Sequence, residues 1–330
     1  MRVGIVGISG YGGSELLRLC VSHPGFELAY AGGESTAGQT LARRFPALAD
    51  HPAGAIVIRP FEPEKLGGID LLFASLPTGK SREPLSRVPR EIKLLDVGGD
   101  HRFAEGWVYG LTELPGQRDA IRGADRVANP GCYPAAALLA LAPLVRDGLI
   151  EPEGIVIDAK SGITGTGRGG ASEYGYSETN EDVFAYGLAQ HPHVPEMTEA
   201  LSRLAGRRAT IAFTPHLVPM TRGILATCYA RPRGAADPAR LAESARNCYR
   251  GEPFVKVIEP ADARGPHTKW TTGSNLAFLS YAVNRETGLV IALGAIDNLG
   301  KGAAAQAVQN ANLMTGQPET AGLSALPLWP

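Results

Sequence analysis

The chain has 330 residues, and its 32 Lys and Arg against 33 Asp and Glu leave a formal net charge of −1. Gly (41) and Pro (25) make up one fifth of it, above the roughly 12% of an average protein yet below the ~25–30% of low-complexity chains. With 44% hydrophobic residues it can bury sizeable cores, which excludes disorder as the main state; the absence of a long like-charged block disfavours a nucleic-acid or membrane-surface role.

Residues Val3–Val6 read as a short buried strand, followed by Gly7-Ile-Ser-Gly10-Tyr-Gly-Gly13 and an amphipathic helix over Ser14–Ser22 that His23-Pro24-Gly25 stops. A second strand over Phe26–Ala31 completes a βαβ opening. Strand-like runs recur at Ala55–Ile58, Leu71–Leu76, Lys93–Val97 and Asp125–Ala128, and apolar strands separated by helices argue for a parallel sheet. After a helix over Pro134–Val145 the texture changes. Alternating strands follow at Gly154–Lys160, Arg208–Thr214, Gly223–Tyr229, Ser274–Val283 and Leu289–Leu293, with helices at Pro195–Leu204 and Pro238–Tyr249. A final helix, opened by a Gly turn, covers Asp297 to about Met314. The fold class is α/β: a Rossmann-type parallel-sheet domain plus an α+β catalytic and oligomerisation domain with a mostly antiparallel sheet.

Gly7, Gly10 and Gly13 form G-x-x-G-x-x-G between a strand and a helix. That setting lets backbone approach a pyrophosphate and offers it the N–H groups and positive dipole end of a helix. Gly12 adds a further bare position, and Ser9 and Tyr11 could add hydroxyl donors. At the end of the second strand, Glu34 favours a free ribose 2′-OH and Ser35 a 2′-phosphate, so the residues leave NAD and NADP open.

The four cysteines, Cys20, Cys132, Cys228 and Cys248, are far apart and form no Cys-x-x-Cys pair. A disulfide scaffold and a zinc framework are excluded, and no metal is expected. The N-terminus does not read as a signal peptide, and no run reaches the ~18 apolar residues of a membrane span; the expectation is a cytoplasmic protein. Asn129-Pro-Gly-Cys132-Tyr-Pro134 is the sharpest feature. Pro134 suits a first helical turn, so Cys132 sits at the N-cap or just before it, where the dipole lowers a thiol pKa. The other cysteines read as small core hydrophobes. A thiolate nucleophile needs an acid–base partner, and His191 and His193, just before the helix opened by Pro195 and Glu196, are the candidates; spacing does not choose between them. His216 reads as a structural or substrate-contact residue, and His23, His51 and His267 as solvated loop residues. A nucleotide loop joined to an activated cysteine suggests thioester chemistry with hydride transfer.

With these residues assembled, the chain resembles N-acetyl-gamma-glutamyl-phosphate reductases of the semialdehyde dehydrogenase superfamily. The resemblance runs through Gly7–Gly13, Tyr109-Gly-Leu-Thr-Glu113, Asn129–Pro134, Pro215-His-Leu-Val-Pro-Met-Thr-Arg-Gly223 and Asp297-Asn-Leu-Gly-Lys-Gly-Ala-Ala-Ala-Gln306. It implies NADP(H) as cofactor, a small anionic acyl-phosphate substrate and a homo-oligomer, dimer or tetramer. It further implies cofactor contacts at Pro77, Asn298 and Lys301 and substrate contacts at Asn129 and Ser161. The domains would be 1–131 with 297–330, and 132–296. Two departures stand out: Leu76-Pro-Thr-Gly79 replaces the usual Leu-Pro-His-Gly, and His191-Pro-His193 replaces His-Arg-His. Arg102 or Arg168 could supply the missing cation. The alternatives are a reductase of aspartyl phosphate or of carrier-bound aminoadipyl phosphate, and a nucleotide-sensing protein without catalysis.

Overall fold

The computed structural model describes residues 1–168, 172–259 and 264–328. The chain forms two compact units, one of Met1–Pro130 with Ala303–Ala325, the other of Gly131–Gly302 with the chain's end from Leu326. The return to the first unit therefore starts at Ala303, not at Asp297 as expected, and the last residues stay with the second unit.

The first unit is built on β1 (Arg2–Val6), β2 (Glu27–Gly32), β3 (Leu71–Ala74), β4 (Lys93–Asp96), β5 (Val108–Tyr109) and β6 (Arg126–Ala128). All pairings are parallel, in the order β2-β1-β3-β4-β6-β5. Val3, Ile5, Leu71, Leu72, Phe73, Leu94 and Leu95 are fully buried, as expected of strands covered on both faces. Four helices belong to this run: α1 (Tyr11–Val21), α2 (Leu41–Arg44), α3 (Arg82–Ser86) and α4 (Gln117–Arg122); the returning helix α9 (Ala305–Met314) packs on α1 and α4. Buried Asn310 in α9 is held by Thr112, Gly110 O and Asn129, and the Gln306 amide nitrogen donates to Thr112.

The strand expected over Ala55–Ile58 does not form. Pro52 opens a tight helical turn instead, and a side chain on Gly54 would strike the Leu48 carbonyl at 2.1 Å. Only single bridges follow, Thr40↔Val57 and Gly32↔Arg59.

In the second unit, β7 (Ile155–Ser161), β8 (Phe184–Ala185), β9 (Ile211–Leu217), β10 (Ile224–Ala230), β11 (Val255–Val257), β12 (Ala277–Val283) and β13 (Val290–Ile296) make one mixed sheet, ordered β11-β12-β13-β10-β7-β9-β8. Its pairings are mostly antiparallel, with β7–β9 and β11–β12 parallel. β9 runs past Pro215, beyond the end expected at Thr214. Its neighbour β8 is only two residues long, so β9 is an edge over most of its length, where Pro is tolerated.

One face of this sheet carries α5 (Cys132–Arg146), α7 (His193–Ala205) and α8 (Pro238–Cys248), while the short α6 (Tyr176–Thr179) precedes β8. Residues 133–145 of α5 are all buried. The helix lies close to the sheet because the facing residues are small: a side chain on Gly294 would meet Ala136 O at 2.3 Å. Pro143 removes the N–H that would pair with Leu139 O, and the Tyr249 hydroxyl donates to that carbonyl instead, at 2.7 Å.

Candidate active site

Gly131 is the N-cap of α5, in extended conformation, and Cys132 is the first helical residue, one position further in than expected. The N–H of Gly131 donates to Glu196 Oε1 at 2.9 Å. A side chain at Gly131 would sit 2.4 Å from His193 Nε2, so glycine lets the imidazole rest on the turn that carries Cys132. His193 opens α7, and its N–H donates to Nδ1 of His191 at 3.1 Å. The two rings lie 4.7 Å apart, and His191 is boxed by Tyr133, Tyr186 and Phe213. Burial pushes His191 down to about 4. It is therefore neutral at pH 7, and since Nδ1 accepts the His193 amide, its proton sits on Nε2.

Beneath the histidines, the Tyr186 hydroxyl donates to that of Tyr133, which donates to His216 O. Burial raises both phenol pKa values. Ser161 is buried next to Tyr133. The ring of His216 is bound to Asp158 at 3.1 Å, with Lys160 on the same carboxylate; only its carbonyl reaches Tyr133.

The turn after β13 packs on Cys132: a side chain at Gly302 would meet the Cys132 Cβ at 2.8 Å. Buried Asp297 organises this turn, accepting from Arg222 Nε and from the N–H groups of Gly273, Leu299 and Gly300. Asn298 and Lys301, expected at the cofactor, follow in this turn. Asn298 accepts from Gly223 N and donates to Thr164, and Lys301 is fully buried with its ammonium 5.7 Å from the Phe254 ring centre. Both lie in the second unit. Arg168 is exposed there, and Gly169 and Gly170, which follow it, fall outside the described residues.

In the first unit, Gly7 takes φ +78° and a side chain there would strike Ser75 O at 2.1 Å; one on Gly13 would strike Gly7 O at the same distance. Gly7 makes the turn and Gly13 seats α1 against it. Gly10, the N-cap of α1, has nothing nearer than 3.4 Å, so its bare Cα leaves a hollow at the helix N-terminus beside Ser9, Tyr11 and Gly12. That hollow fits a dinucleotide pyrophosphate. Pro77 lies exposed on the loop after β3, where Thr78 donates to Gly98 O. At the end of β2, Ser35 is exposed, and the Glu34 carboxylate accepts the Phe61 N–H at 3.0 Å. Arg102 is half-buried, its guanidinium laid over Gly99 and its Nε donating to Asn129 O at 2.9 Å. Pro192, where the resembled reductases have arginine, is the N-cap of α7.

Sequence reasoning missed the roles of Glu196, Tyr133 and Tyr186. Glu196 was visible only as a helix-opening acid, because its partner lies 65 positions away. One histidine reading changes as well: His23 is buried, held by Asn312 and stacked on Phe26. Among the described residues no group of three or more His, Cys, Asp or Glu is arranged to hold a metal ion.

Two family models match the chain: the NAD binding domain of semialdehyde dehydrogenase over residues 2–124 and its dimerisation domain over residues 132–298. An N-acetyl-gamma-glutamyl-phosphate reductase from Bradyrhizobium sp. (strain ORS 278) is 57% identical over 331 residues, covering 100% of this chain and 99% of that one. One of the same name from Methylobacterium sp. (strain 4-46) is 57% identical over 333 residues with the same coverage. Among solved structures, a probable aspartate-semialdehyde dehydrogenase from Pseudomonas aeruginosa shares the fold with a TM-score of 0.74 at 16% identity, over 95% of this chain and 98% of that one. The Candida albicans aspartate semialdehyde dehydrogenase, solved with NADP, gives 0.70 at 15% identity over 95% and 98%. At such identity these structures speak for the fold alone, whereas the full-length relatives decide the branch: this chain belongs to the N-acetyl-gamma-glutamyl-phosphate reductases of the semialdehyde dehydrogenase family.

Proposed function

We propose that the protein reduces N-acetyl-gamma-glutamyl phosphate to N-acetylglutamate 5-semialdehyde with NADPH, releasing phosphate, as a step of arginine biosynthesis. The observation that carries this reading is Cys132 on the first turn of a buried helix, with His193 resting on the preceding glycine. A helix N-terminus favours the thiolate. Its sulfur attacks the acyl carbon; the C–S bond forms, the C–O bond to phosphate breaks, and a thioester remains on Cys132. When bound, NADPH supplies the hydride that brings this thioester to the aldehyde level. His193 gives a proton to the carbonyl oxygen as that atom gains charge, and takes it back as the C–S bond breaks. His191 orients His193: its Nδ1 is occupied and its Nε2 already carries a proton, which leaves it unsuited to the base role. Glu196 fixes the Gly131 amide. Arg168 and Ser161, in the unit that carries Cys132, are assigned to the anionic substrate.

The Gly7–Gly13 hollow, with Ser9 and Tyr11, would hold the pyrophosphate, and Pro77 lies on the loop after β3 where the nicotinamide half is expected. Glu34, engaged by Phe61 N, is withdrawn from the ribose, which supports NADP over NAD. Assembly is assigned to the sheet face that α5, α7 and α8 leave open, where Val156, Leu225 and Tyr229 lie. No helix among the described residues is long and apolar enough to cross a membrane, and a nucleophilic thiol suits the reducing cytoplasm.

The test runs the reaction backwards, with N-acetylglutamate semialdehyde, phosphate and NADP, following reduced-cofactor absorbance. Turnover that vanishes in Cys132→Ala is expected. Turnover that survives this change, or that occurs only with aspartate semialdehyde, would contradict the proposal.

A further inference from the structure

We propose that Arg59 is the cation that recognises the 2′-phosphate of NADP(H), with the hydroxyls of Ser35 and Thr36 completing the subsite; this rests on the NADP reading above. The turn after β2, residues 32–39, contains Glu34 but no Lys or Arg. A 2′-phosphate carries up to two negative charges and needs a cation. The fold brings one in from elsewhere in the chain. The segment around residue 58 adds a short parallel edge beside β2, with Arg59 paired to Gly32. Its N–H donates to Ala31 O and its carbonyl accepts from Gly33 N, both at 2.9 Å, so its backbone is held at the carboxyl end of β2. That is where the ribose of a bound dinucleotide lies in this fold class.

Further observations agree. The Arg59 side chain is exposed and makes no ion pair among the described residues, although Glu34 and Glu62 act, as it does, on Tyr30. Glu34 is turned to the Phe61 amide and Glu62 to Lys65, so the two carboxylates that could neutralise Arg59 are occupied. The Thr36 hydroxyl is buried without a hydrogen-bond partner, and lies 3.1 Å from where a side chain on Gly33 would begin. An orphaned buried hydroxyl at the tip of β2, next to an exposed one on Ser35, is the donor set that a phosphate oxygen would satisfy. Arg59 is also close enough for its charge to oppose the rise in the Tyr30 pKa that burial and Glu34 produce, and the Tyr30 hydroxyl reaches Pro60 O.

Direct binding tests this without turnover. Titration calorimetry of the whole protein with adenosine 2′,5′-bisphosphate and with AMP measures the contribution of the 2′-phosphate. We expect the wild type to prefer the bisphosphate. In Arg59→Ala the Kd for the bisphosphate should rise about 10- to 100-fold, the range for a lost charge-assisted bond, with AMP binding unchanged. Arg59→Lys should restore part of the preference, and Arg90→Ala, an exposed arginine elsewhere in the unit, should leave it intact. If the wild type prefers the bisphosphate and Arg59→Ala keeps that preference within twofold, the assignment of Arg59 falls while the NADP reading stands. Equal loss for both ligands in Arg59→Ala would also overturn the assignment, since a disturbed adenosine site would explain it. A wild type that does not distinguish the two ligands overturns the NADP reading itself.

Discussion

His191 and His193 are two positions apart and carry the same side chain, yet their surroundings differ. His191 is enclosed by three aromatic rings and accepts an amide proton, so burial holds it neutral. Its folded pKa of about 4 lies below the ~6.5 of an unfolded histidine. The stability this contributes is fully present above about pH 6.5 and is lost as pH falls toward 4. We therefore expect NMR titration of the His191 ring in the folded protein to give a midpoint near 4; a midpoint near 6.5 would show the ring open to solvent. Cys132 could be read from the sequence because its cue is local: a Pro-Gly turn, a cysteine and a helix-opening proline. The different surroundings of the two histidines could not, since they depend on Phe213 and Tyr186, which reach His191 only through the sheet.

At the scale of elements, α5 shows how a defect in a helix is repaired by its neighbours. Pro143 leaves Leu139 O without a helical donor inside a fully buried helix, and Tyr249, at the end of α8, provides one. Tyr249→Phe keeps the ring and removes the donor. It should lower unfolding stability by about 1–3 kcal/mol, the cost of a buried unsatisfied carbonyl, in urea denaturation followed by circular dichroism. A change below about 0.5 kcal/mol would mean that the carbonyl finds another partner. The main strands and long helices were legible because apolar runs with clear stops mark them. The strand expected at Ala55–Ile58 failed because Pro52 and the tight approach at Gly54 favour a turn there. The loop–helix from Asp297 was read as one element, but Asp297 gathers three backbone N–H groups and one arginine, and a single wide turn, Gly300–Ala304, precedes α9. Two of those partners, Gly273 and Arg222, lie 24 and 75 positions away.

On the scale of the whole molecule, the one-fifth of the chain that is Gly and Pro has specific places. Gly7 and Gly13 close the nucleotide turn, Gly131 admits His193, and Gly302 lets the Asp297 turn reach Cys132. Each site depends on backbone approach, which explains how a chain with almost no net charge is suited to anionic ligands. The two units carry the nucleotide loop and Cys132 separately, and the central claim is that the acyl group passes through Cys132. The most direct test mixes the protein with N-acetyl-gamma-glutamyl phosphate in the absence of reduced cofactor and locates the acyl group by peptide mass spectrometry. The account predicts one N-acetylglutamyl thioester, on the peptide containing Cys132, that disappears when NADPH is added. An unmodified Cys132, or an acyl group on Cys248 that NADPH does not discharge, would contradict it.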